Sequence, residues 1–128
     1  MNEQEILETG TRIGVTLHNE RVKSSQVNKL LEIFESEKDA RMAISILSIY
    51  IAKQEKRGYL KRGSATEIIN TLSKTLSNKR VSKDEVRKIL GISKWVYEAL
   101  GEDKGRPVTV RDVKSLLEEL LKDLRRGK

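Results

Sequence analysis

The sequence predicts an all-α protein, a compact bundle of six or seven helices with a central apolar helix. Apolar residues recur at intervals of three and four, as on one face of a helix, and no segment alternates as a half-buried strand does. The chain has 128 residues, of which 37% are hydrophobic; this is enough for one modest core. We therefore expect residues 1–100 to form the bundle core. Residues 101–128 are expected to form a linker and an amphipathic C-terminal helix, docked on the same domain.

The first helix is expected to begin after Asn2, which can cap it together with Glu5. Gly10 and Gly14 lower the stability of this helix by roughly 1 kcal/mol each relative to Ala. They also leave one side of the helix bare, so another helix could approach closely there. His18 lies near the end of this helix without a second His or a Cys beside it. It is predicted to be a surface or capping residue rather than a catalytic base.

The second and third helices differ in how much of the helix circumference their apolar residues cover. The second begins at Ser24 or Ser25 and has one apolar stripe, typical of a surface helix. That stripe consists of Val27, Leu30, Leu31 and Phe34. The third, from Asp39 to Lys56, is apolar on nearly all sides, which is typical of a helix buried on all sides. It is predicted to be the central core helix, and residues 57–63 after it are predicted to form a loop.

Two capping boxes predict where the next helices begin. Ser64 with Glu67 is expected to begin the fourth helix, and Ser82 with Glu85 the fifth. In each box the two side chains satisfy backbone N–H groups that the first turn leaves free.

The fifth helix is expected to be stapled at its start by Val81 and Val86 and to end at Gly91. A short sixth helix then runs from Ser93 to Leu100, with Gly101 just past its end.

The last predicted helix opens at Thr109, with Asp112 three residues later as a weaker capping box. Its apolar seam consists of Val113, Leu116, Leu117, Leu120, Leu121 and Leu124. This seam either docks on the chain's own core or pairs with a partner helix. Docking is favoured, because the seam from Val113 to Leu124 is shorter than the three heptads that are the minimum for predicting a coiled coil.

Positive charge is concentrated in the second half of the chain. The net charge of +7 divides into −2 over residues 1–50, +4 over residues 51–78 and +5 over residues 79–128. The densest cluster, opposed only by Glu55, contains Lys53, Lys56, Arg57, Lys61 and Arg62. A segregated basic patch is typical of a protein that binds nucleic acid; the alternative is that the charge serves only solubility.

Several function classes lack the residues that they need. The absence of Cys, with a single His, excludes disulfides, zinc fingers and thiol catalysis. Neither a Walker motif nor a dinucleotide-binding glycine pattern occurs, so we expect no enzyme activity, cofactor, metal or small-molecule substrate. The longest apolar run, residues 43–52, is too short to span a bilayer, and the acidic N-terminus does not resemble a signal peptide. We expect a cytoplasmic protein.

Aromatic residues are too few for a base-stacking platform. Phe34 and Tyr50 fall on core faces, and Tyr59, flanked by cations, is the one good stacking candidate. Binding is therefore expected to run through phosphates without sequence specificity. The candidate nucleic-acid-binding residues are Arg21, Lys23, Lys29, Lys53, Lys56, Arg57, Tyr59, Lys61 and Arg62.

Residues 86–100 resemble a helix-turn-helix motif with its turn at Leu90–Ser93. In that motif the second helix enters the major groove of DNA. Arg87 and Tyr97 depart from the small and β-branched residues usual at their positions. Lys94 and Trp95 would be the residues that face the groove.

A second resemblance covers residues 21–100. It is carried by three segments: Ser24-Ser25-Gln26-Val27-Asn28-Lys29-Leu30-Leu31, Leu47 to Gln54, and Lys94-Trp-Val-Tyr-Glu98-Ala99-Leu100. In their order and spacing, these segments resemble motifs of the small subunit of Csm-type (type III) CRISPR effector complexes. The resemblance implies a non-catalytic helical bundle that stacks in a guide-RNA–protein filament and contacts the backbone of the guide–target duplex. Asn28, with Lys29 beside it, stands in place of one arginine of the family. Lys53 and Gln54 stand where another arginine is expected, which leaves a point charge instead of a bidentate fork.

Three hypotheses therefore remain open. The first is a non-catalytic subunit of an RNA-guided complex, whose partners are RNA, other subunits and copies of itself. The second is a helix-turn-helix DNA-binding regulator that dimerises through its C-terminal helix. The third is a helical protein-interaction module.

Overall fold

The computed structural model describes residues 1–78, 80 and 82–126, and these ranges contain six helices and no strand. The helices are α1 (Glu3–Asn19), α2 (Ser24–Glu35), α3 (Ala40–Lys56), α4 (Arg62–Leu76), α5 (Lys83–Ala99) and α6 (Val113–Arg126). The prediction of an all-helical bundle is confirmed.

Helix α1 lies at the centre of the bundle and packs against α4, α5 and α6, most extensively against α5. Gly10 and Gly14 make that crossing close. A Cβ atom at Gly10 would lie 2.7 Å from Cγ2 of Ile92, and one at Gly14 would lie 2.6 Å from the backbone oxygen of Ser93. The prediction that these glycines admit a neighbouring helix is confirmed.

Helix α3 is not buried on all sides, so that prediction is wrong. One face, with Ala43, Ile44 and Leu47, is fully buried, but Ile49 is 70% exposed and Met42 is 51% exposed. The reason is that only α2 and α4 cover α3 to any extent. The α1–α5 pair occupies the middle of the bundle, because the glycines let those two helices approach more closely than side chains would.

Helix α5 runs unbroken from Lys83 to Ala99, so the predicted end at Gly91 and turn at Leu90–Ser93 are wrong. Gly91 is not among the residues with positive φ. The hydroxyl of Ser93 donates to the Ile89 backbone oxygen within the same helix (2.7 Å). Packing against α1 holds both halves on one axis. The helix ends at Ala99, one residue before the predicted end, and Gly101 (φ +103°) lies just past its end as expected.

Four predicted helix starts are confirmed to within one residue: α2 begins at Ser24 and α3 directly after Asp39, and α1 and α5 begin after their predicted caps Asn2 and Ser82. Asn2 accepts from the Glu5 backbone N–H, and Glu5 accepts from that of Asn2. Ser82 accepts from the Glu85 backbone N–H, whereas the Glu85 carboxylate pairs with the N-terminal amine at 3.0 Å. The staple predicted between Val81 and Val86 lies outside the described residues, because it depends on Val81.

Two other helix starts are wrong. Helix α4 begins at Arg62, so Ser64 lies inside it, and the predicted loop is two residues shorter than expected. Helix α6 begins at Val113, where the Asp112 carboxylate accepts from the Ser115 backbone N–H (2.8 Å). The first turn of α4 is capped from outside the predicted box, by the carboxylate of Glu20, whereas in α6 Asp112 is itself the capping residue and not the second member of a box.

The apolar seam of α6 divides between two faces. Leu116 is buried against Val15 and Val96, with Leu120 packed beside it. By contrast, Leu117, Leu121 and Leu124 are exposed. The helix therefore docks on its own chain through only one of its two rows of apolar side chains.

The end of α1 holds the segment between α5 and α6 by its backbone. His18, predicted to be a surface or capping residue, is buried, and its ring nitrogens lie 2.8 and 2.9 Å from the backbone oxygens of Glu102 and Arg106. The Asn19 side chain donates to the Val108 backbone oxygen and accepts from its N–H. The surface prediction for His18 is wrong because this segment folds back over the ring.

Replacing Gly14 by Ala tests the close crossing. The new methyl group would overlap the α5 backbone, and such overpacking costs about 1–3 kcal/mol in the free energy of unfolding, measured by urea denaturation. Gly91→Ala is the matched control, because a Cβ there meets nothing within 4 Å. It should raise stability by about 0.5–1 kcal/mol. Equal effects of the two variants would contradict the close crossing.

Candidate nucleic-acid interface

Four of the predicted binding residues line one cavity of about 320 Å³, between the end of α1, the start of α2 and the loop after α3. These residues are Arg21, Lys23, Tyr59 and Lys61. Ser25 and Gln26 of the first α2 turn lie on the same wall. The cavity therefore places cationic side chains, one aromatic ring and a helix N-terminus around a single open space.

The first turn of α2 has no side-chain cap. Lys23 occupies the N-cap position without a capping hydrogen bond from its side chain. Its backbone oxygen accepts from the N–H groups of Gln26 and Val27. The N–H groups at the start of a helix, together with the helix dipole, favour an anion. A phosphate oxygen is the kind of group that fits this end of the cavity.

The loop after α3 is built to present Tyr59 outwards. Its Leu60 side chain is buried in the core, and the N–H groups of Tyr59 and Leu60 donate to the Gln54 backbone oxygen. Gly58 allows the turn with a φ of +82°. The Tyr59 ring is consequently exposed, with the Arg57 guanidinium 5.7 Å from its centre.

A second opening lies next to this loop. Lys56 and Arg62 line a groove of about 400 Å³ between α3 and α4, in which Glu55 also lies. Lys53 lies one turn before Lys56, and its amine is 5.9 Å from the centre of the Tyr50 ring. Lys53, Lys56 and Arg62 therefore extend the positive charge of the loop onto α3 and α4.

Two of the nine predicted residues are engaged elsewhere. The Arg21 guanidinium donates to the backbone oxygens of Asp103 and Gly105, both at 3.1 Å. The Lys29 amine lies 3.8 Å from the Glu32 carboxylate. Arg21 therefore serves to hold the segment after α5, and the charge of Lys29 is partly offset.

The other six cations share one property: they are exposed, and no carboxylate oxygen in the described part of the chain lies within 4.0 Å of them. We call these six the basic surface: Lys23, Lys53, Lys56, Arg57, Lys61 and Arg62. Unpaired surface cations keep their charge available for an anionic partner.

Among the described residues, the one carboxylate that lines the 320 Å³ cavity belongs to Glu20, which caps α4. Its Oε1 accepts from the backbone N–H and the hydroxyl of Ser64, both at 2.7 Å. The neighbouring Gly63 leaves room for it, since a Cβ there would lie 2.1 Å from Oε2 of Glu20. The α4 N-terminus therefore offsets the negative charge of Glu20. The sequence did not predict this role of Glu20, and the only local signal is the glycine beside Ser64.

The helix-turn-helix candidates lie away from this surface. Trp95 is exposed on α5, whereas Tyr97 is buried and donates to the Val22 backbone oxygen. Burial, followed by the nearby charges of Asp103, Glu102 and Glu98, raises the pKa of Tyr97 far above its ordinary value. Tyr97 is therefore a neutral core residue that ties α5 to the turn before α2.

The described ranges contain neither a cluster of metal ligands nor a membrane-spanning helix. No group of three or more His, Asp or Glu side chains among the described residues could hold a metal ion. No helix within those ranges is long and apolar enough to cross a membrane. The chain matches no family model, no curated protein and no solved structure.

Paired substitutions test the cap that Glu20 provides. Glu20→Ala should lower the free energy of unfolding by about 0.5–2 kcal/mol, as loss of an N-terminal cap does. Gly63→Ala should lower stability in the wild type, because its methyl group displaces the carboxylate. In the Glu20→Ala background the same change should be neutral or stabilising. An equal cost in both backgrounds, by urea denaturation, would contradict this arrangement.

Proposed function

We propose that the protein is a non-catalytic subunit that binds the sugar-phosphate backbone of RNA through its basic surface. The observation that carries this proposal is a surface of six exposed cations without carboxylate partners in the described ranges, two of which, Lys23 and Lys61, line the cavity at the uncapped N-terminus of α2. Phosphates are the nucleic-acid groups that both features favour.

Binding of this kind is sensitive to salt and tolerant of sequence, because phosphates carry no base information. If all six cations neutralise phosphates of a single strand, the logarithm of the affinity falls with the logarithm of salt concentration with a slope of about −4. Stacking of a base on Tyr59 would add about 1–3 kcal/mol. The exposed ring beside Arg57 suits such a contact.

The finer proposal is that the protein is the small subunit of a type III CRISPR interference complex. It rests on the resemblance of residues 21–100, and one contact supports it. The first two motifs of the resemblance meet in space, where the Gln54 side chain donates to that of Gln26 (2.8 Å). Both motifs border the basic surface. The partners would be the backbone of the guide–target duplex, other subunits and copies of the same chain.

The helix-turn-helix hypothesis loses the turn on which it depended, because α5 is continuous across Leu90–Ser93. A recognition helix needs a separate preceding helix that crosses the DNA backbone. We therefore do not propose DNA recognition by these residues.

Charge reversal tests RNA binding. The quadruple variant Lys56→Glu, Arg57→Glu, Lys61→Glu and Arg62→Glu should lower affinity for both single-stranded and duplex RNA by at least about 100-fold, since four phosphate contacts become repulsive. Fluorescence anisotropy with two unrelated sequences over a range of salt concentrations measures it.

A matched quadruple variant controls for net charge. Lys88→Glu, Lys104→Glu, Arg111→Glu and Lys122→Glu change the same charge at exposed positions outside the basic surface. These changes should lower affinity much less, and circular dichroism checks that both variants remain helical. Equal losses in the two quadruple variants, or a strong preference between the two sequences, would contradict the proposal.

Purification from native cells tests the finer proposal. We expect the protein to co-purify with a multi-subunit complex that contains a short RNA, and the basic-surface quadruple variant to reduce the RNA retained. Recovery of the protein free of RNA and of other subunits would contradict its assignment to such a complex. RNA binding by the isolated protein would still be tested separately.

A further inference from the structure

Helix α6 carries an exposed row of leucines that its own chain does not cover. Leu117, Leu121 and Leu124 are 59%, 49% and 75% exposed, respectively. They are spaced by four and three residues and therefore lie along one face of the helix. The adjoining row docks on the core through Leu116. A continuous row of exposed leucines on a surface helix marks an interaction site.

The charges beside this row indicate what covers it. Glu118 and Arg125 are seven residues apart and lie on the same side of the leucines. Neither has an oppositely charged group within 4.0 Å in the described ranges. In a parallel two-fold pair of α6 helices, this side of one copy and the same side of the other would lie on opposite sides of the interface, so Glu118 and Arg125 of the two copies would not meet. In an antiparallel pair, Glu118 of each copy approaches Arg125 of the other.

We propose that α6 pairs with α6 of a second copy of this chain in antiparallel orientation, burying the three leucines beside two Glu118–Arg125 ion pairs that lie along one edge of the contact. The pairing is isologous and closes as a two-fold dimer. None of the six cations of the basic surface lies on α6, so the pairing is independent of RNA binding and leaves that surface open.

The size of the contact sets its strength. A helix of 14 residues is about 21 Å long. Three partly exposed leucines per copy bury well below the roughly 1,200 Å² typical of a stable complex. The dimer is therefore concentration-dependent, with monomer and dimer in exchange.

A second row of exposed apolar side chains lies on α3 and does not suit a second copy. Met42, Ile46 and Ile49 are followed on the same face by Lys53, and α3 has no acidic residue before Glu55. Antiparallel or parallel pairing there would oppose cations or leave them unpaired. This row therefore serves as the control for non-specific apolar association.

Charge exchange tests the pairing. Sedimentation velocity from about 10 μM to about 1 mM, a range that brackets a weak dimer, should show the wild type shifting from monomer to dimer. Glu118→Arg and Arg125→Glu should each weaken the dimer by about tenfold or more, and the double variant should restore it. Both side chains are exposed, and circular dichroism verifies that the helix persists in each variant.

Two further variants separate the alternatives. Ile49→Ser on α3 should leave the dimer unchanged. Because the chain has no Cys, Leu117→Cys introduces one thiol per copy. In an antiparallel pair centred on the leucine row these two thiols lie about 10 Å or more apart along the axis, so no disulfide forms on mild oxidation, whereas a parallel pair would cross-link readily.

Each contrary outcome overturns the proposal. A wild type that stays monomeric over the whole concentration range would show that the leucine row has another partner, or none. If the double charge variant dimerises as weakly as the single variants, Glu118 and Arg125 do not form ion pairs across the interface. Ready cross-linking of Leu117→Cys would establish parallel pairing, and loss of the dimer in Ile49→Ser would move the interface to α3.

Discussion

Close contact between the backbones of α1 and α5 positions every other element of the bundle. Gly10 and Gly14 remove the side chains that would otherwise hold the two helices apart. The 8–10 Å separation usual between packed helices depends on the side chains at the contact, and small residues shorten it. Once α1 is central, α4 and α6 pack on its remaining faces, and α2 and α3 complete the core from outside.

The positive surface of this protein results as much from how its carboxylates are used as from its many cations. Glu20 caps α4, and Glu8 accepts from the Val113 backbone N–H at the start of α6. Glu35 binds Arg87, whose hydrogen bond lowers the pKa of Glu35. These acids satisfy helix ends or pair within the bundle. The cations around the loop after α3 have no such partners in the described ranges.

Features set by neighbouring residues could be predicted from the sequence, and those set by distant contacts could not. The caps at Asn2 and Ser82 depend on residues three positions away, so the local pattern identified them. The segment Leu90–Ser93 is compatible with both a turn and a helix, and only its packing against α1 decides between them. Within the interface, charge density found the cations, but the Glu20–Ser64 contact joins residues 44 positions apart, which no local pattern reveals.

The segment from Glu102 to Val108 is held almost entirely through its main chain. His18, Asn19 and Arg21 bind its backbone oxygens and one N–H. Such contacts fix the path of the segment but do not depend on which side chains it carries. Residue type matters at Glu102 and Gly105, which have positive φ, and at Val108, whose side chain packs against the apolar cluster of Leu116. The other side chains of this segment can therefore be replaced, in evolution or by design, without loss of its backbone conformation. That conformation is held by His18, Asn19 and Arg21.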